Sequence, residues 1–397
     1  MIRTGNIKFI KNINKQLVLN LIRKNELISA PQISHKTGLR PSTILNILND
    51  FIDEKLIIEA GKGESTNKGG KKPILWRLNK DHSYVIGIDI EIGQLIGVIL
   101  NLSGEVVYKS ILRTKPFQNF EGLIFNIRQF INDLLNFSNI SIDKILGMGI
   151  ACAGVVDRDN GILIIGEIIP ETNLHFLKEL EKYYHFPIII ENNANACAQG
   201  SKWLGVAKNK KNIMTILVEF DTEVGGMGIG IIINNELYHG SSYCAGELNI
   251  HLPKLKDMVE NIRNRFNESS IFSNYITSPE KIDIDLMISA AKQNDELALN
   301  FFSIFGNLIG KSIASSIALL NPEALIIIGD IAELGDIIIN PIKNAIELET
   351  LSITNSKLEI LCDSSGHYSV AKGAASIILS EFFHLPSLNN KQKKFLD

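Results

Sequence analysis

The stretch IENNANACAQG, residues 190–200, follows the apolar run YYHFPII directly. An apolar strand therefore leads into a turn that opens a small-residue helix, which is where an open α/β sheet usually places its ligand site. The turn presents two asparagines, Asn192 and Asn193, where a carboxylate could have stood. An amide can bind a hydroxyl group but has no basic site near neutral pH, so the stretch raises the question of whether the site catalyses a reaction or only binds a ligand.

The composition of the chain bounds the class of protein. It has 397 residues, of which 45% are hydrophobic and 21% charged, so two or three globular domains are expected. The sequence has no uninterrupted apolar run of about eighteen residues, and its opening segment MIRTGNIKFIKNINKQ lacks the apolar block of a signal peptide. These features predict a cytoplasmic protein that does not enter a membrane.

The four cysteines are far apart and form no C-x-x-C pair, which argues against a disulfide framework and against a zinc ribbon. Each of them, including Cys362, lies among apolar or small residues and is predicted to be a buried small hydrophobic side chain. Thiol-based sensing is the alternative for three of them, because they fall in segments that are expected to line a cleft: Cys152, Cys197 and Cys244.

Basic residues are concentrated in the first part of the chain. Residues 1–80 contain 15 Lys and Arg against 6 Asp and Glu, whereas the whole chain has a net charge of −3. A basic first segment joined to an acidic remainder indicates that only the first segment meets a polyanion.

This basic segment also has the pattern of a helix-turn-helix. Residues 12–26 carry four apolar residues at helical spacing, namely Ile13, Leu17, Leu21 and Ile22. Ser29 predicts the N-cap of a short helix that ends at Gly38, which can adopt a positive φ. A second helix begins near Pro41 and has an apolar face made of Ile44, Leu48 and Phe51. A plain helical hairpin is the alternative, but small Ser34, four residues before the glycine, lets two helices cross closely.

The second helix and the segment after it are the predicted contacts with a double-stranded DNA operator. As a recognition helix it offers four polar side chains to the major groove: Arg40, Ser42, Thr43 and Asn46. Residues 56–61 and 73–79 are predicted strands on either side of the basic loop KGESTNKGGKK. The loop is predicted to be a wing whose lysines reach phosphates or the minor groove, namely Lys68, Lys71 and Lys72. A solvated hairpin tip is the alternative for this loop.

The remainder of the chain alternates strands with helices. These elements are predicted at 83–107, 120–137, 145–154, 215–220, 225–240, 324–330 and 371–379. Two strand pairs, each followed by helices, predict an α/β chain with two similar lobes and a cleft between them. The predicted domains are therefore residues 1–80, which bind DNA, and residues 83–397, which form the two lobes.

Six segments resemble, in the same order, the motifs of the ROK family (repressor, open reading frame, kinase), in the branch with an N-terminal winged helix-turn-helix. They are GIDIEIGQLIGVILNLSGEV, GIACAGVVDRDNGIL, ENNANACAQG, VGGMGIGIIINNELYHG, YCAGELNI and NPEALIIIGD. The resemblance covers nearly the whole chain. It implies the two-lobed actin-like (ribonuclease H-like) fold of sugar kinases, with a sugar in the cleft.

Two departures from the family pattern argue against catalysis. ROK kinases use an aspartate in the ENDANA turn as the base that takes the proton of the sugar hydroxyl, and Asn193 stands at that position. Loss of a general base typically lowers the rate by about a hundredfold to ten-thousandfold. The family's DIGGTK segment is DIEIGQ at residues 89–94, so two glycines that approach phosphate are absent and Glu91 adds like charge. No catalytic residue is therefore predicted.

The family's zinc site is also missing from the sequence. The family continues after its A-G-E motif with a histidine three residues on and then a cysteine-rich run, but Ile250 takes that place and His251 is displaced by one. The segment HLPKLKDMVENIRNRFNESSIF contains no cysteine. One histidine without thiolates falls far short of four ligands, so neither a metal nor a cofactor is predicted.

The resemblance instead implies a site that binds a sugar or sugar derivative as an effector. The candidate residues are Gly154, Asn173, Asn192, Asn193 and Glu247. Paired amides suit sugar hydroxyls, and a carboxylate can accept two hydroxyl protons. The alternative is that NNANA only caps a helix, in which case sugar binding is absent or its specificity has changed.

Together these features predict a sequence-specific transcriptional regulator, most simply a repressor of carbohydrate-metabolism genes, with a catalytically inactive sugar-kinase-like domain. A homodimer or a higher homo-oligomer is expected, because one short DNA-binding segment makes too few base contacts for useful specificity. Two alternatives stay open. One is an active sugar kinase with a regulatory first domain, and the other is a regulator that no longer binds sugar and responds to a protein partner.

Overall fold

The computed structural model describes residues 7–63, 72–220, 225–248 and 283–384, together with residues 265 and 271. Two of the predicted wing lysines, Lys68 and Lys71, lie outside the described residues. The same holds for Ile250, for His251 and for nearly all of the cysteine-free segment that follows them.

The head comprises residues 7–63 and 72–78. Its helices are α1 (Ile7–Lys24), α2 (Ala30–Thr37) and α3 (Pro41–Asp53). Its antiparallel strands are β1 (Ile28–Ser29), β2 (Ile57–Lys62) and β3 (Ile74–Leu78), in the order β1-β3-β2. Helices packed on a small antiparallel sheet agree with the predicted winged helix-turn-helix. The pairing of β1 with β3 does not follow from the sequence, because two residues are too few to carry a strand pattern.

The ends of α2 follow from local chemistry. The backbone N–H and the hydroxyl of Ser29, its N-cap, each lie 2.9 Å from Gln32 Oε1. The helix ends at Gly38, whose φ of 71° lies in the left-handed region that favours glycine. The Ser34 hydroxyl donates to the Leu39 carbonyl at 2.7 Å and so holds the turn before α3. The predicted boundaries of this helix are confirmed.

The N lobe comprises residues 84–192. Its main sheet has the order β11-β7-β4-β5-β6, from β4 (Tyr84–Glu91), β5 (Gln94–Asn101), β6 (Val106–Arg113), β7 (Ile145–Cys152) and β11 (Ile188–Asn192). Helix α4 (Phe120–Ser138) packs against this sheet. A small antiparallel sheet beside it consists of β8 (Gly154–Asp157), β9 (Ile162–Gly166) and β10 (Leu174–His175), and is followed by α5 (Phe176–Leu180).

The C lobe spans residues 213–363 with the gaps given above. Its sheet has the order β14-β13-β12-β15-β16, from β12 (Ile213–Phe220), β13 (Gly225–Ile233), β14 (Glu236–Leu237), β15 (Ala324–Gly329) and β16 (Glu359–Asp363). Its described helices are α7 (Ile284–Lys292), α8 (Glu296–Leu320), α9 (Asp336–Glu349) and α10 (Ser352–Asn355).

The two lobes repeat one strand arrangement. In each, the first strand pairs antiparallel with the second on one side and parallel with the fourth on the other. Two hinge helices run between the lobes: α6 (Asn193–Trp203) follows the last strand of the N lobe, and α11 (Ser369–Phe383) follows the last strand of the C lobe. The predicted fold of two similar lobes is confirmed.

Small residues let α11 press onto the sheet of the N lobe. A Cβ placed on Gly87 would lie 1.9 Å from the Ala371 carbonyl oxygen, and one on Gly149 would lie 2.0 Å from the Ala374 carbonyl oxygen. These distances are below any real contact, so both strand positions require glycine. The close approach fixes the helix against the strands that lead toward the cleft.

Helix α8 is the one helix in the described part of the chain that is long and apolar enough to cross a membrane. Its apolar face is the centre of the C-lobe core, where it packs against α9. Five of its fully buried or nearly buried side chains are Phe301, Phe302, Phe305, Ile309 and Ile313. Burial within the fold accounts for the apolar character of this helix.

The sequence prediction and the structure differ in the first strand pair. The stretch at 83–107 includes the start of a third strand, because the chain turns at Gly104, whose φ is 81°, and β6 (Val106–Arg113) runs back along β5. A Cβ on this glycine would also meet the Leu204 side chain at 2.2 Å. The polar residues from Asn101 to Glu105 mark this turn, and the sequence analysis merges the two strands because it takes the apolar runs on either side as one segment.

Candidate functional site

The side chain of Asn192 holds the turn between β11 and α6. Its Oδ1 accepts from the backbone N–H groups of Ala194 at 2.9 Å and Asn195 at 3.2 Å, which makes it the N-cap of the helix. Its Nδ2 donates to the Gly154 carbonyl at 2.9 Å and ties the turn to β8. The polar atoms of Asn192 are therefore already used within the protein, as the capping alternative in the sequence analysis anticipates.

Asn193 is differently placed. It is 9% exposed, and its Oδ1 accepts from the Ala194 N–H at 2.9 Å. A Cβ placed on Gly228 of β13 would lie 3.9 Å from that oxygen, so this side chain faces the C lobe across the cleft. Its Nδ2 has no acceptor among the described residues, and it can donate to a hydroxyl group but cannot remove a proton.

The carboxylate in this turn belongs to Glu191, which is fully buried. Its Oε1 accepts from the backbone N–H of Asn192 at 2.9 Å and from the side-chain amide of Asn195 at 3.1 Å. Its Oε2 lies 2.9 Å from His239 Nε2, just after β14, and 3.9 Å from Arg158 Nε, just after β8. The sequence analysis does not include Glu191, His239 or Arg158 among its candidates.

The electrostatics of Glu191 favour its charged form. Burial raises the pKa of the carboxyl, but the hydrogen bond to His239, the charge of Arg158 and the bond from the Asn192 N–H together outweigh burial, so its pKa lies below the usual value. A charged group buried between the lobes is therefore satisfied on all sides by protein groups. Glu191 could have been found in the sequence, because it is a carboxylate at the end of an apolar strand.

The remaining candidate effector residues lie on two segments, the small sheet of the N lobe and the loop after β14. Gly154, whose φ is 126°, and Asn173, whose φ is 55°, both belong to the edge of the small sheet of β8, β9 and β10. Asn173 is exposed, and its N–H donates to the Ile164 carbonyl at 3.0 Å. Glu247 is solvent-accessible and follows Gly246, whose Cβ position lies 2.1 Å from the Ile229 carbonyl oxygen of β13. Partial desolvation raises the pKa of the Glu247 carboxyl.

Comparison with known proteins places this arrangement in a family. A family model described as the ROK family matches residues 85–381, which cover nearly all of both lobes and both hinge helices. The chain belongs to the ROK family. The predicted family is thereby confirmed.

The relatives of this ROK chain include proteins with the same N-terminal extension. The xylose repressor of Bacillus subtilis is 30% identical over 389 residues, which cover 95% of this chain and 97% of the relative. The crystal structure of a ROK family transcriptional regulator, a homologue of the E. coli MLC protein, superposes with a TM-score of 0.73 at 22% identity and covers 94% of this chain and 96% of that one. A ROK glucokinase from Streptomyces griseus, solved with glucose and AMPPNP, gives a TM-score of 0.63 at 21% identity but covers 74% of this chain and 99% of its own.

The side of the ROK cleft that corresponds to the phosphate segment carries negative charge. The Glu91 carboxylate accepts from the Gln94 side chain across the turn between β4 and β5. On the facing lobe, burial raises the pKa of Asp330, the nearby His367 lowers it, and carboxylates including that of Glu91 raise it further, with the net direction upward. Carboxylates on both sides of this cleft repel a polyphosphate.

The cysteines divide into two groups. Cys152 and Cys197 are buried and Cys362 is half-buried, and burial raises the pKa of Cys152 strongly and that of Cys362 to about 11. These three agree with the prediction of inert small side chains. The prediction is wrong for Cys244, which is exposed and donates to the Ser242 carbonyl at 3.3 Å. Its loop follows β14 at the surface, so the apolar neighbours in the sequence do not enclose it.

The outward face of α3 carries the predicted contacts with DNA. Arg40, Ser42 and Asn46 are exposed, Thr43 is half-buried, and Lys72 beyond β2 is exposed. The opposite face is buried in the core of the head by Ile44, Ile47, Leu48 and Phe51. The helix is thus anchored by its apolar face and presents its polar face to solvent.

Two further residues share this outward face and are missing from the sequence prediction. Leu45 is 54% exposed, and Asn49 is exposed one turn further along the helix. Helical periodicity places both residues beside Ser42 and Asn46, so the spacing of the buried residues could have identified them.

Proposed function

We propose that the chain is a DNA-binding transcriptional regulator, a repressor of genes for carbohydrate metabolism, whose ROK lobes bind a sugar without phosphorylating it. The observation that carries this proposal is Asn193. A neutral amide, held by the N-terminus of α6, stands where a sugar kinase needs a base. Occupancy of the cleft can then only change the conformation of the protein.

The extent of the matches supports regulation. The regulator structure and the xylose repressor cover the head as well as the lobes, at 94% and 95% of this chain, whereas the glucokinase structure covers 74%. The regulators and the glucokinase therefore differ in whether their match to this chain includes the head. We assign residues 1–80 to DNA binding and residues 83–397 to effector binding, in a cytoplasmic protein.

The proposed effector site lies where β11, β8 and β13 meet. Asn193 Nδ2 donates to a sugar hydroxyl, and the Glu247 carboxylate accepts from others. Asn173 and the backbone of Gly154 border the same side, while Asn192 mainly fixes the turn. The xylose repressor among the relatives makes xylose the first sugar to test.

The proposed DNA surface is the outward face of α3 with the loop between β2 and β3. Arg40, Ser42, Thr43 and Asn46 contact base edges, and the apolar Leu45 suits a thymine methyl group. Lys72 contacts phosphate, together with Lys68 and Lys71 beyond the described residues. Two heads in a homodimer or higher homo-oligomer supply enough base contacts for specificity.

Three measurements on the purified full chain test the proposal. A duplex selected from a random library should bind with a strong salt dependence, and xylose should change that affinity. Xylose at a hundred times its Kd should stabilise the protein by about 2.7 kcal/mol in thermal unfolding. No sugar in a broad panel should be phosphorylated with ATP. Turnover of any sugar would indicate the kinase alternative, and DNA binding without any sugar response would indicate the partner-protein alternative.

A further inference from the structure

The head is joined to the lobes through the ends of the two hinge helices. Gln16 Nε2 of α1 donates to the Phe382 carbonyl at 3.2 Å, and Asn20 Nδ2 donates to the Phe383 carbonyl at 2.5 Å. The last carbonyl groups of a helix have no partner inside the helix, so the end of α11 offers free acceptors to α1. These bonds fix α1 to one particular turn of the hinge helix.

Arg23 completes this joint. Its guanidinium lies 3.9 Å from the ring centre of Trp203 at the end of α6 and 5.0 Å from that of Phe383 at the end of α11. The guanidinium is partly buried beside both rings, and this burial lowers its pKa to about 10. The head therefore rests on the C-terminal ends of both hinge helices.

Arg158 also contacts the last turn of α11. Its Nη2 lies 2.8 Å from Glu381 Oε1, and Glu381 directly precedes the two residues whose carbonyls accept from α1. The other side of this guanidinium faces the cleft, since its Nε is 3.9 Å from Glu191 Oε2. One arginine thus stands between a carboxylate of the cleft and a carboxylate of the joint.

Burial makes these contacts sensitive to position. The side chains of Glu191, Glu381 and Arg158 are 1%, 18% and 23% exposed, so water screens their charges far less than those of surface pairs. Glu191 also accepts from His239, which belongs to the C lobe. A change in the distance between the lobes moves His239 relative to Glu191. This movement alters the electrostatic attraction between Glu191 and Arg158.

We propose that Arg158 is a positioning residue that couples the closure of the lobes to the orientation of the head, an inference that rests on the proposed function. When the Glu191–His239 hydrogen bond loosens, Glu191 attracts Arg158 more strongly. The ion pair between Arg158 and Glu381 then weakens. The last turn of α11 then moves, and α1 moves with it. Because coupling is reciprocal, operator binding changes sugar affinity by the same factor.

The first test is the ratio of operator affinities with and without saturating xylose, using the full chain and a library-selected duplex. Wild type should show a ratio of at least about fivefold. Arg158→Met and Glu381→Gln should each bring the ratio close to one, and Glu381→Gln should do so without changing xylose affinity in the absence of DNA. The double variant should reduce the ratio of operator affinities no further than either single variant does. Lys182→Met is the matched control, since it removes a lysine that pairs with Glu179 at 2.6 Å on the surface of the N lobe.

The outcomes separate this inference from the proposed function. A wild type that binds both ligands and couples them, beside an Arg158→Met variant that couples them equally well, overturns the inference alone. A wild type that does not bind DNA or sugar overturns the proposed function. A second measurement then decides the inference: amide hydrogen exchange in residues 7–24 should be several-fold faster in Arg158→Met than in Lys182→Met. Equal protection of α1 in the two variants overturns it.

Discussion

His239 Nε2 lies 2.9 Å from Glu191 Oε2, although the two residues come from different lobes. Through this bond a side chain of the C lobe stabilises the charged form of a buried carboxylate of the N lobe. The same carboxylate holds the first turn of α6 through Asn192 and Asn195. Stability of the turn and spacing of the lobes therefore depend on one ionised group.

Replacement of this carboxylate should give a pH-dependent loss of stability. We expect Glu191→Gln to lower the free energy of unfolding at pH 7 by about 1–3 kcal/mol, as for a hydrogen bond to a charged group. The folded-state pKa lies below the ordinary value of 4.5, so the stabilisation is complete above about pH 4.5 and is lost as the pH falls through the folded pKa. Urea unfolding of both proteins from pH 7 to about pH 3 measures the difference, which should shrink in acid. A difference that stays constant would contradict this assignment.

Restoring the missing carboxylate should not restore catalysis. We expect Asn193→Asp to show no ATP-dependent phosphorylation of xylose or glucose above wild type, because the phosphate side of the cleft still carries Glu91 and lacks two family glycines. A coupled assay for ADP release, with a ROK glucokinase as positive control, measures this. Turnover in the single variant would mean that the phosphate segment remains competent.

The cap of α6 should contribute measurably to stability. Asn192→Ala removes the acceptor for two backbone N–H groups and should cost about 1 kcal/mol, with more from the lost bond to the Gly154 carbonyl. Asn192→Asp keeps the acceptor and should recover the capping part only. Chemical denaturation of the three proteins gives the values, and equal stability of the alanine and aspartate variants would rule out the capping role.

Two substitutions in the head should weaken DNA binding in different ways. Arg40→Ala should lower affinity for the selected duplex and leave affinity for random duplex nearly unchanged, because a base contact carries the sequence information. Lys72→Ala should lower both affinities and reduce the slope of log K against log salt by about 1. Fluorescence anisotropy at several salt concentrations separates the two effects. Parallel losses on both duplexes for Arg40→Ala would remove it from the base-reading surface.

Local features of the fold could be predicted, and the contacts between distant segments could not. Ser29 and Gly38 set the ends of α2 through bonds to their own neighbours, so the sequence contains the whole cause. The strand-to-helix turn at Asn192 is local in the same way. The strands β6 and β16 need pairing partners that the apolar pattern does not identify.

The candidate site shows the same limit. Asn193 could be identified from one turn of sequence because its chemistry differs from that of an aspartate. The bond between Glu191 and His239 spans 48 residues and exists only because the lobes face each other. The contact of Arg158 with Glu381 spans 223 residues. The exposure of Cys244 likewise depends on what covers its loop, which neighbouring letters do not reveal.

The repeated lobes have exchanged their last helices. Helix α6 leaves the N lobe and packs on β13 of the C lobe, while α11 leaves the C lobe and packs on β4 and β7 of the N lobe. Their far ends meet where the rings of Trp203 and Phe383 lie 5.7 Å apart. Helix α1 contacts this meeting point through Arg23, and the apolar core of the head continues into the N lobe at Val85 and Val98. A change in the angle between the lobes therefore reaches the head at its first helix, and we expect the orientation of the whole head to follow that angle.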